Sequence, residues 1–439
     1  MVREKIYQDD YLYSGLKPIV DWCTWNGYRK TCIHGKENLP TDGAILLAPN
    51  HCNTLMDALV MLRTERKQTV FGARADLFNR PFIAKLMFFV RILPMVRQRD
   101  GLRNVLKNKD TQETIVETLE HNVRFCMYPE GTHRTKHSLQ ALGKGIFRAA
   151  IAANEKFGKE KPIYIVPVGI EYGDYFRYRS SSLVNFGEAI NVTEFIKDLD
   201  TDNEAQIMDA LRKELTERMS SLMTFIKADE NYEAKWALTK ILAVNRKRAY
   251  GEYGTDLYED MMRNRDIVAQ IEEAYERNPE KMEELFKDVA EFEAARKKAG
   301  VSIYSFKKKS NPVLNAVGKG FAAVVGLPYF LFSAIACLPM WTVNEFIRSK
   351  VKDKAFRNTV SLGVKLAMTL ILFPTYAVLG FCLAPWWLAL TLLLLWLPSF
   401  GYFYDYIEGC RRWFSDIKFL RTPKLWKKFN KIIKKTKEI

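Results

Sequence analysis

The sequence predicts an α/β layered domain with a mixed or parallel sheet and flanking helices, followed by a charged helical connector and C-terminal membrane helices. Three observations predict it. Between about residues 40 and 195, short β-rich runs alternate with helical stretches, the pattern of strands and helices packed in layers. From there to about residue 310 the chain is charged and helical in its spacing. From Leu366 to Tyr404 it carries no Lys, Arg, Asp, Glu or His. At 439 residues the chain accommodates two or three units, at roughly 150 residues per domain.

Taken in order, residues 1–30 read as an N-terminal amphipathic segment, and MVREKIYQDDYLYSG lacks the charged-then-apolar layout of a secretory signal. Residues 31–195 read as the catalytic domain. Its candidate strands are GAILLAPN (43–50), QTVFGARA (68–75), VRFCMYPE (123–130), IYIVPVGIEY (163–172) and SLVNFGEAI (182–190), with helical stretches between them. One of these stretches, NRPFIAKLMFFVRILP (79–94), reads equally as a core helix or as a membrane-facing ramp. Residues 196–310 form the connector, opened by a capping box at Thr201 and Glu204.

The uncharged run Gly320–Asn344 places a single or re-entrant membrane segment at 311–345. The run Leu366–Tyr404 is nearly twice the roughly 20 residues that one spanning helix needs. With the turn CLAPWW in its middle, it predicts a transmembrane hairpin over 359–404. The basic flanks KKKS, IRSKVKDK and the C-terminal tail belong on the cytoplasmic side, which requires 311–345 to re-enter or lie in the interface while the hairpin crosses twice. The catalytic domain is then expected on the cytoplasmic side of the membrane, the inner or plasma membrane in a bacterium. The tail, 405–439, is basic. From Arg411 onward, eleven Lys or Arg stand against two acidic residues, which suits an anionic lipid surface or an acidic carrier protein. Nucleic acid is disfavoured as a partner, because the tail follows a membrane hairpin.

Seven Cys without a C-x-x-C pair indicate neither a zinc site nor a disulfide framework. His133 and His137 are four apart with no third ligand at zinc spacing, so no metal site is expected. His34 and His121 read as ordinary surface residues.

Chemistry is expected in the loops that leave strand ends. Asn50-His51 follows the first strand, Arg97 follows RILPMV, and YPEGTHR follows VRFCM. His51 and Asp57 in NHCNTLMD are costly to bury unless paired. Their separation of six places His51 in the turn before a helix and Asp57 on its second turn.

The ordered set NHCNTLMD, ILPMVRQRDG, YPEGTHR and IVPVGIEY resembles the four motifs of the phospholipid/glycerol acyltransferase family, the glycerol-3-phosphate and lysophosphatidate acyltransferase group, over roughly residues 30 to 195. This chain has five residues between His and Asp where the family's commonest motif has four. A branch resembling membrane glycerol-3-phosphate acyltransferases shares the longer spacing. The resemblance implies His51 and Asp57 as the catalytic pair. Imidazole, with a reference pKa of about 6.5, suits removal of a hydroxyl proton during attack on a thioester, with Asp57 orienting the ring. Asn50, Arg97, Glu130, Gly131, Thr132, Arg134 and Pro167 are the implied substrate-binding residues. Of these, Arg97 and Arg134 are matched to the acceptor's phosphate, Glu130 to fixing acceptor and loop, Gly131 to close approach, and Pro167 to shaping the acyl pocket. Arg99, Arg74 and Lys144 are weaker phosphate candidates, and Cys52 reads as packing.

The implied function is transfer of a fatty acyl group from acyl-CoA or acyl carrier protein to lysophosphatidate, without a cofactor. The alternatives are glycerol-3-phosphate, another lysolipid or an ornithine lipid as acceptor, and a non-catalytic lipid-binding membrane tether.

Overall fold

The computed structural model describes residues 4–65, 68–95, 105–252, 255–307 and 311–437. The described residues divide into two compact units. One is built from residues up to 24, 31–175 and 182–225, the other from 25–30, 176–181 and the chain from 226 onward.

The first unit is organised by an eight-stranded mixed sheet in the order β1-β7-β6-β2-β5-β3-β4, with β8 pairing β6. The strands are β1 (Tyr28–His34), β2 (Ala44–Pro49), β3 (Thr69–Arg74), β4 (Ile92–Met95), β5 (Arg124–Cys126), β6 (Ile163–Tyr172), β7 (Ser180–Phe186) and β8 (Ile190–Asn191). β2 runs parallel to both β5 and β6, and β3 parallel to β4 and β5. β7 and β8 are antiparallel to β6. All six residues of β2 are buried, which explains why AILLAP is continuously apolar instead of alternating. β1 was not among the expected strands. It stands at the end of the strand order, and its YRKTCIH sequence buries Tyr28 and Cys32 while exposing Arg29 and Lys30, so an edge position hides its periodicity.

Around the sheet stand α1 (Tyr11–Gly27), α2 (Leu55–Thr64), α3 (Pro81–Phe89), α4 (Val105–Glu120), α5 (Gly145–Phe157), α6 (Val192–Lys197) and α7 (Glu204–Ser221). α5 buries Ile146, Phe147, Ala150, Ile151 and Phe157, the stripe expected of a helix on a sheet. α3 buries none of its side chains, and Phe82 is 75% exposed, so the core-helix reading of 79–94 gives way. α7 starts one residue after Asn203, whose side chain accepts from the amides of Ala205 and Gln206. Asn203 is therefore the cap, in place of the expected Thr201. Leu211, Leu215 and Met219 of α7 join the sheet's core, so this unit extends beyond residue 195.

The second unit is helical. α8 (Tyr232–Arg246), α9 (Leu257–Arg277), α10 (Pro279–Ala299) and α15 (Pro423–Lys435) share a core that includes Ile241, Leu285, Phe292, Phe306 and Phe429. The apolar face of α15 is thus occupied inside the protein, and Lys428, Lys431 and Lys435 pair with Glu291, Asp288 and Glu284 of α10.

α11 (Pro312–Ala336), α13 (Phe356–Leu383) and α14 (Trp386–Leu420) are long and apolar enough to cross a membrane, and α12 (Leu338–Lys350) links the first two. α13 and α14 form the hairpin, turning at Ala384–Pro385. α11 runs antiparallel to α14, with Lys319 paired to Asp416 at 2.5 Å and the Tyr402 hydroxyl donating to the Gly326 carbonyl at 3.0 Å. It ends where the Ala336 carbonyl accepts from Tyr376 and Trp396. α12 then turns back, since Asn344 donates to the Tyr404 hydroxyl at 2.8 Å.

Candidate active site

β2 ends at Pro49 and α2 begins at Leu55, so the residues between them lie at the C-terminal edge of the sheet. Asn50 fastens this turn to β6, its side chain donating to the Ile170 carbonyl at 3.1 Å and accepting the Ile170 amide at 2.6 Å. Thr54, just before the helix, has φ 49° and ψ −132°, a conformation costly for a β-branched residue.

Asp57 therefore falls in the first turn of α2, earlier than the expected second turn, where the helix N-terminus favours a negative charge. Its carboxylate is fully buried and saturated with donors. Oδ2 accepts from the amides of Cys52 at 2.8 Å and Asn53 at 2.7 Å, and Oδ1 from the Tyr172 hydroxyl at 2.7 Å. His51 Nδ1 stands 2.7 Å from Oδ2. Among so many donors the carboxylate acts as an acceptor, so Nδ1 carries the proton and Nε2 keeps the lone pair. The His51 side chain is 19% exposed, and its ring lies against that of Tyr128 with centroids 4.4 Å apart and against His133 at 5.8 Å. The arrangement is an imidazole oriented by a buried carboxylate and partly open to solvent.

The loop after β5 closes over this pair. Glu130 accepts the His51 amide at 2.8 Å with one oxygen and the Gln140 amide at 2.9 Å with the other. Burial pushes its carboxyl above the usual glutamate value, against these two hydrogen bonds. Gly131 has φ +66°, which a side chain at that position would strain. Thr132 and Gln140 bond each other through Thr132 Oγ1 and the Thr132 carbonyl. The Arg134 amide donates to the His51 carbonyl at 3.0 Å, while its guanidinium holds Ser138 Oγ at 2.7 Å and the Leu139 carbonyl at 3.3 Å. Arg134 Nε is buried and bonded to no acceptor among the described residues. Pro167 lies in β6 opposite Ala48 of β2, one strand from the His51 turn.

The structure thus brings Asn50, His51, Asp57, Glu130, Gly131, Thr132 and Arg134 together, with Pro167 in the neighbouring strand. Arg97 and Arg99 lie outside the described residues. Arg74 is committed to Asp76 at 2.5 Å on the surface, and Lys144 is exposed at the start of α5. Cys52 is buried, and burial first, then the charge of Asp57, pushes its thiol well up, which keeps it protonated and unreactive. His137 is buried with Nδ1 3.6 Å from Glu171 Oε1, and no group of three or more His, Cys, Asp or Glu capable of holding a metal occurs among the described residues. Tyr172, Tyr128 and Gln140 are the site residues that the sequence did not single out. Tyr172 ends the longest candidate strand, so its reach to Asp57 follows only from the parallel pairing of β2 with β6.

Residues 30–171 match the family model described as Acyltransferase. Over 247 residues the chain is 22% identical to Glycerol-3-phosphate O-acyltransferase 1 of Saccharomyces cerevisiae, covering 56% of this chain and 32% of that protein. Over 195 residues it is 26% identical to a Caenorhabditis elegans protein described as a 1-acyl-sn-glycerol-3-phosphate acyltransferase, covering 44% of this chain and 64% of that protein. The chain thus spans about a third and just under two thirds of these relatives. Among solved structures it is similar to the 1-acyl-sn-glycerophosphate acyltransferase PlsC of Thermotoga maritima, at 17% identity and a TM-score of 0.33, covering 47% of this chain and 79% of that one. The domain around His51 and Asp57, within residues 30–171, is accordingly an acyltransferase domain.

Proposed function

We propose that this chain is a membrane-bound O-acyltransferase of phospholipid synthesis that moves a fatty acyl group from acyl-CoA or acyl carrier protein to the free hydroxyl of lysophosphatidate, giving phosphatidate. The observation that carries the reading is the 2.7 Å contact of His51 Nδ1 with a buried Asp57, which leaves Nε2 as the base. Nε2 takes the acceptor's hydroxyl proton as the oxygen attacks the thioester carbonyl. The tetrahedral adduct collapses with cleavage of the carbon–sulfur bond, and the imidazolium returns the proton to the leaving thiolate. Asp57 stabilises the imidazolium while it exists.

Support for a phosphate-bearing acceptor comes from Arg134, whose backbone is tied to the His51 carbonyl and whose buried Nε has no acceptor among the described residues. A phosphate oxygen supplies one. The exposed Phe82 and Leu86 of α3 suit contact with the apolar part of a bilayer. The return of α12 alongside Tyr404 supports α11–α12 as a re-entrant pair, with α13–α14 crossing twice and the basic flanks on the cytoplasmic side.

A second reading, with glycerol-3-phosphate as the acceptor, is favoured by one observation: the longer alignment is to a protein named for that substrate. Both are tested by assaying the full chain in vesicles with one acyl thioester and each acceptor separately. We expect activity with lysophosphatidate, reduced by several orders of magnitude in His51→Ala with the fold intact. Activity with glycerol-3-phosphate alone selects the second reading, and unchanged activity in His51→Ala overturns the assignment of the base.

A further inference from the structure

The helical unit carries a site that the acyl-transfer chemistry does not use. α11 and α14 pack closely where small residues face aromatic ones. A Cβ added to Gly326 would come 2.4 Å from the Tyr402 hydroxyl, and one added to Gly320 would come 3.0–3.1 Å from the Trp413 ring. The Tyr406 hydroxyl also donates to the Ala323 carbonyl at 2.9 Å. Beside this seam lies a cavity of about 410 Å³, with Ala322, Ala323, Tyr402 and Tyr406 in its wall.

The remainder of the wall is charged. Arg29, Lys307, Lys319 and Arg412 line it together with Glu252 and Asp405. Ion pairs hold these cations in place: Lys307 with Glu252, Lys319 with Asp416, Arg412 with Glu408, and Arg29 3.9 Å from Asp405. Arg177 and Arg179 complete the cluster against Glu408 and Asp405. Six cations stand against four carboxylates, so the cluster keeps two positive charges in excess and favours an anion.

The position in the chain identifies the kind of anion. Lys319 is the last charge before the uncharged run Gly320–Asn344, and Asp405 the first after Leu366–Tyr404. The cavity therefore straddles the boundary between charged and apolar sequence, which in helices that enter the bilayer is the headgroup level. Its volume lies within the range of about 300–1,000 Å³ usual for small-ligand sites. It takes a headgroup and glycerol, while acyl chains leave along α11, where Phe321, Val324 and Val325 are exposed.

We infer that this cavity binds an anionic glycerophospholipid, its phosphate at Lys319 and Arg412 and its glycerol against Ala322 and Ala323. The inference goes beyond the proposed activity and does not depend on it.

The test uses the full chain as His51→Ala, which keeps turnover out, in detergent micelles with a phosphatidate carrying a photoactivatable diazirine in its acyl chain. Labelled peptides are mapped by mass spectrometry. We expect saturable labelling of α11 and of α14 near residues 402–412, displaced by unlabelled phosphatidylglycerol and retained against phosphatidylcholine or inorganic phosphate. Arg412→Gln removes a charged donor and should weaken labelling about tenfold, the scale of one charge-assisted hydrogen bond. Ala322→Trp fills the cavity, preserves every charge, and should do the same even if Arg412→Gln folds poorly. Labelling unchanged in Ala322→Trp, or displaced equally by phosphatidylcholine, overturns the proposal. Displacement by inorganic phosphate reassigns the cavity to the free ion and overturns the lipid.

Discussion

Asp57 is fixed by two backbone amides, a tyrosine hydroxyl and the histidine it orients, so its direction is set before any substrate arrives. Tyr172→Phe removes one of these donors without changing the ring. A hydrogen bond to a charged group contributes about 1.5–3 kcal/mol, so kcat should fall roughly ten- to a hundredfold with KM little changed, as steady-state kinetics would show. Glu130 gives a prediction of different sign. Burial raises its carboxyl in the folded protein, so the folded state holds a proton that the unfolded state has released. Stability from this group therefore declines as pH rises from the ordinary glutamate range through the raised value. Denaturation of Glu130→Gln against wild type over that window should show a shallower decline for the variant. The His–Asp pair was legible because both partners lie within one short motif. Tyr172 was not, because 115 positions separate it from Asp57 and only strand register joins them.

At the scale of the element, α15 is packed as well as basic. Its lysines suggested a tail for an anionic surface, yet Leu425, Phe429, Ile432 and Ile433 are buried and the lysines opposite α10 meet acids there. Phe429→Ala should cost about 3–5 kcal/mol as a core truncation, whereas Lys428→Ala, at an exposed pair, should cost under about 1 kcal/mol. Chemical denaturation of the two variants separates these outcomes. Helices and buried strands were legible because apolar spacing reports burial directly. The edge strand β1 and the Asn203 cap were not, since an edge strand exposes polar residues and several polar residues before α7 compete for one cap.

For the whole molecule, the uncharged runs located the apolar helices, while the return of α12 alongside α14 required the contacts of Asn344 and Ala336. The proposed re-entrant arrangement predicts that a cysteine replacing Ser349 is labelled from the same side as one replacing Thr436, and one replacing Ala384 from the other side. Impermeant thiol reagents applied to sealed vesicles measure this. Opposite labelling of positions 349 and 436 would instead require α11 to cross the bilayer completely.

The tight turn at Ala384–Pro385 then bears on how the protein is made. On the proposed topology of two crossings and a re-entrant pair, this turn and its flanking apolar residues are the part of the described hairpin that reaches the far face of the bilayer. No charged group lies between Leu366 and Tyr404, so insertion requires no ion to be carried across the hydrocarbon. On that topology the hairpin can enter as one unit, and a protease confined to the far face meets only this short turn of it.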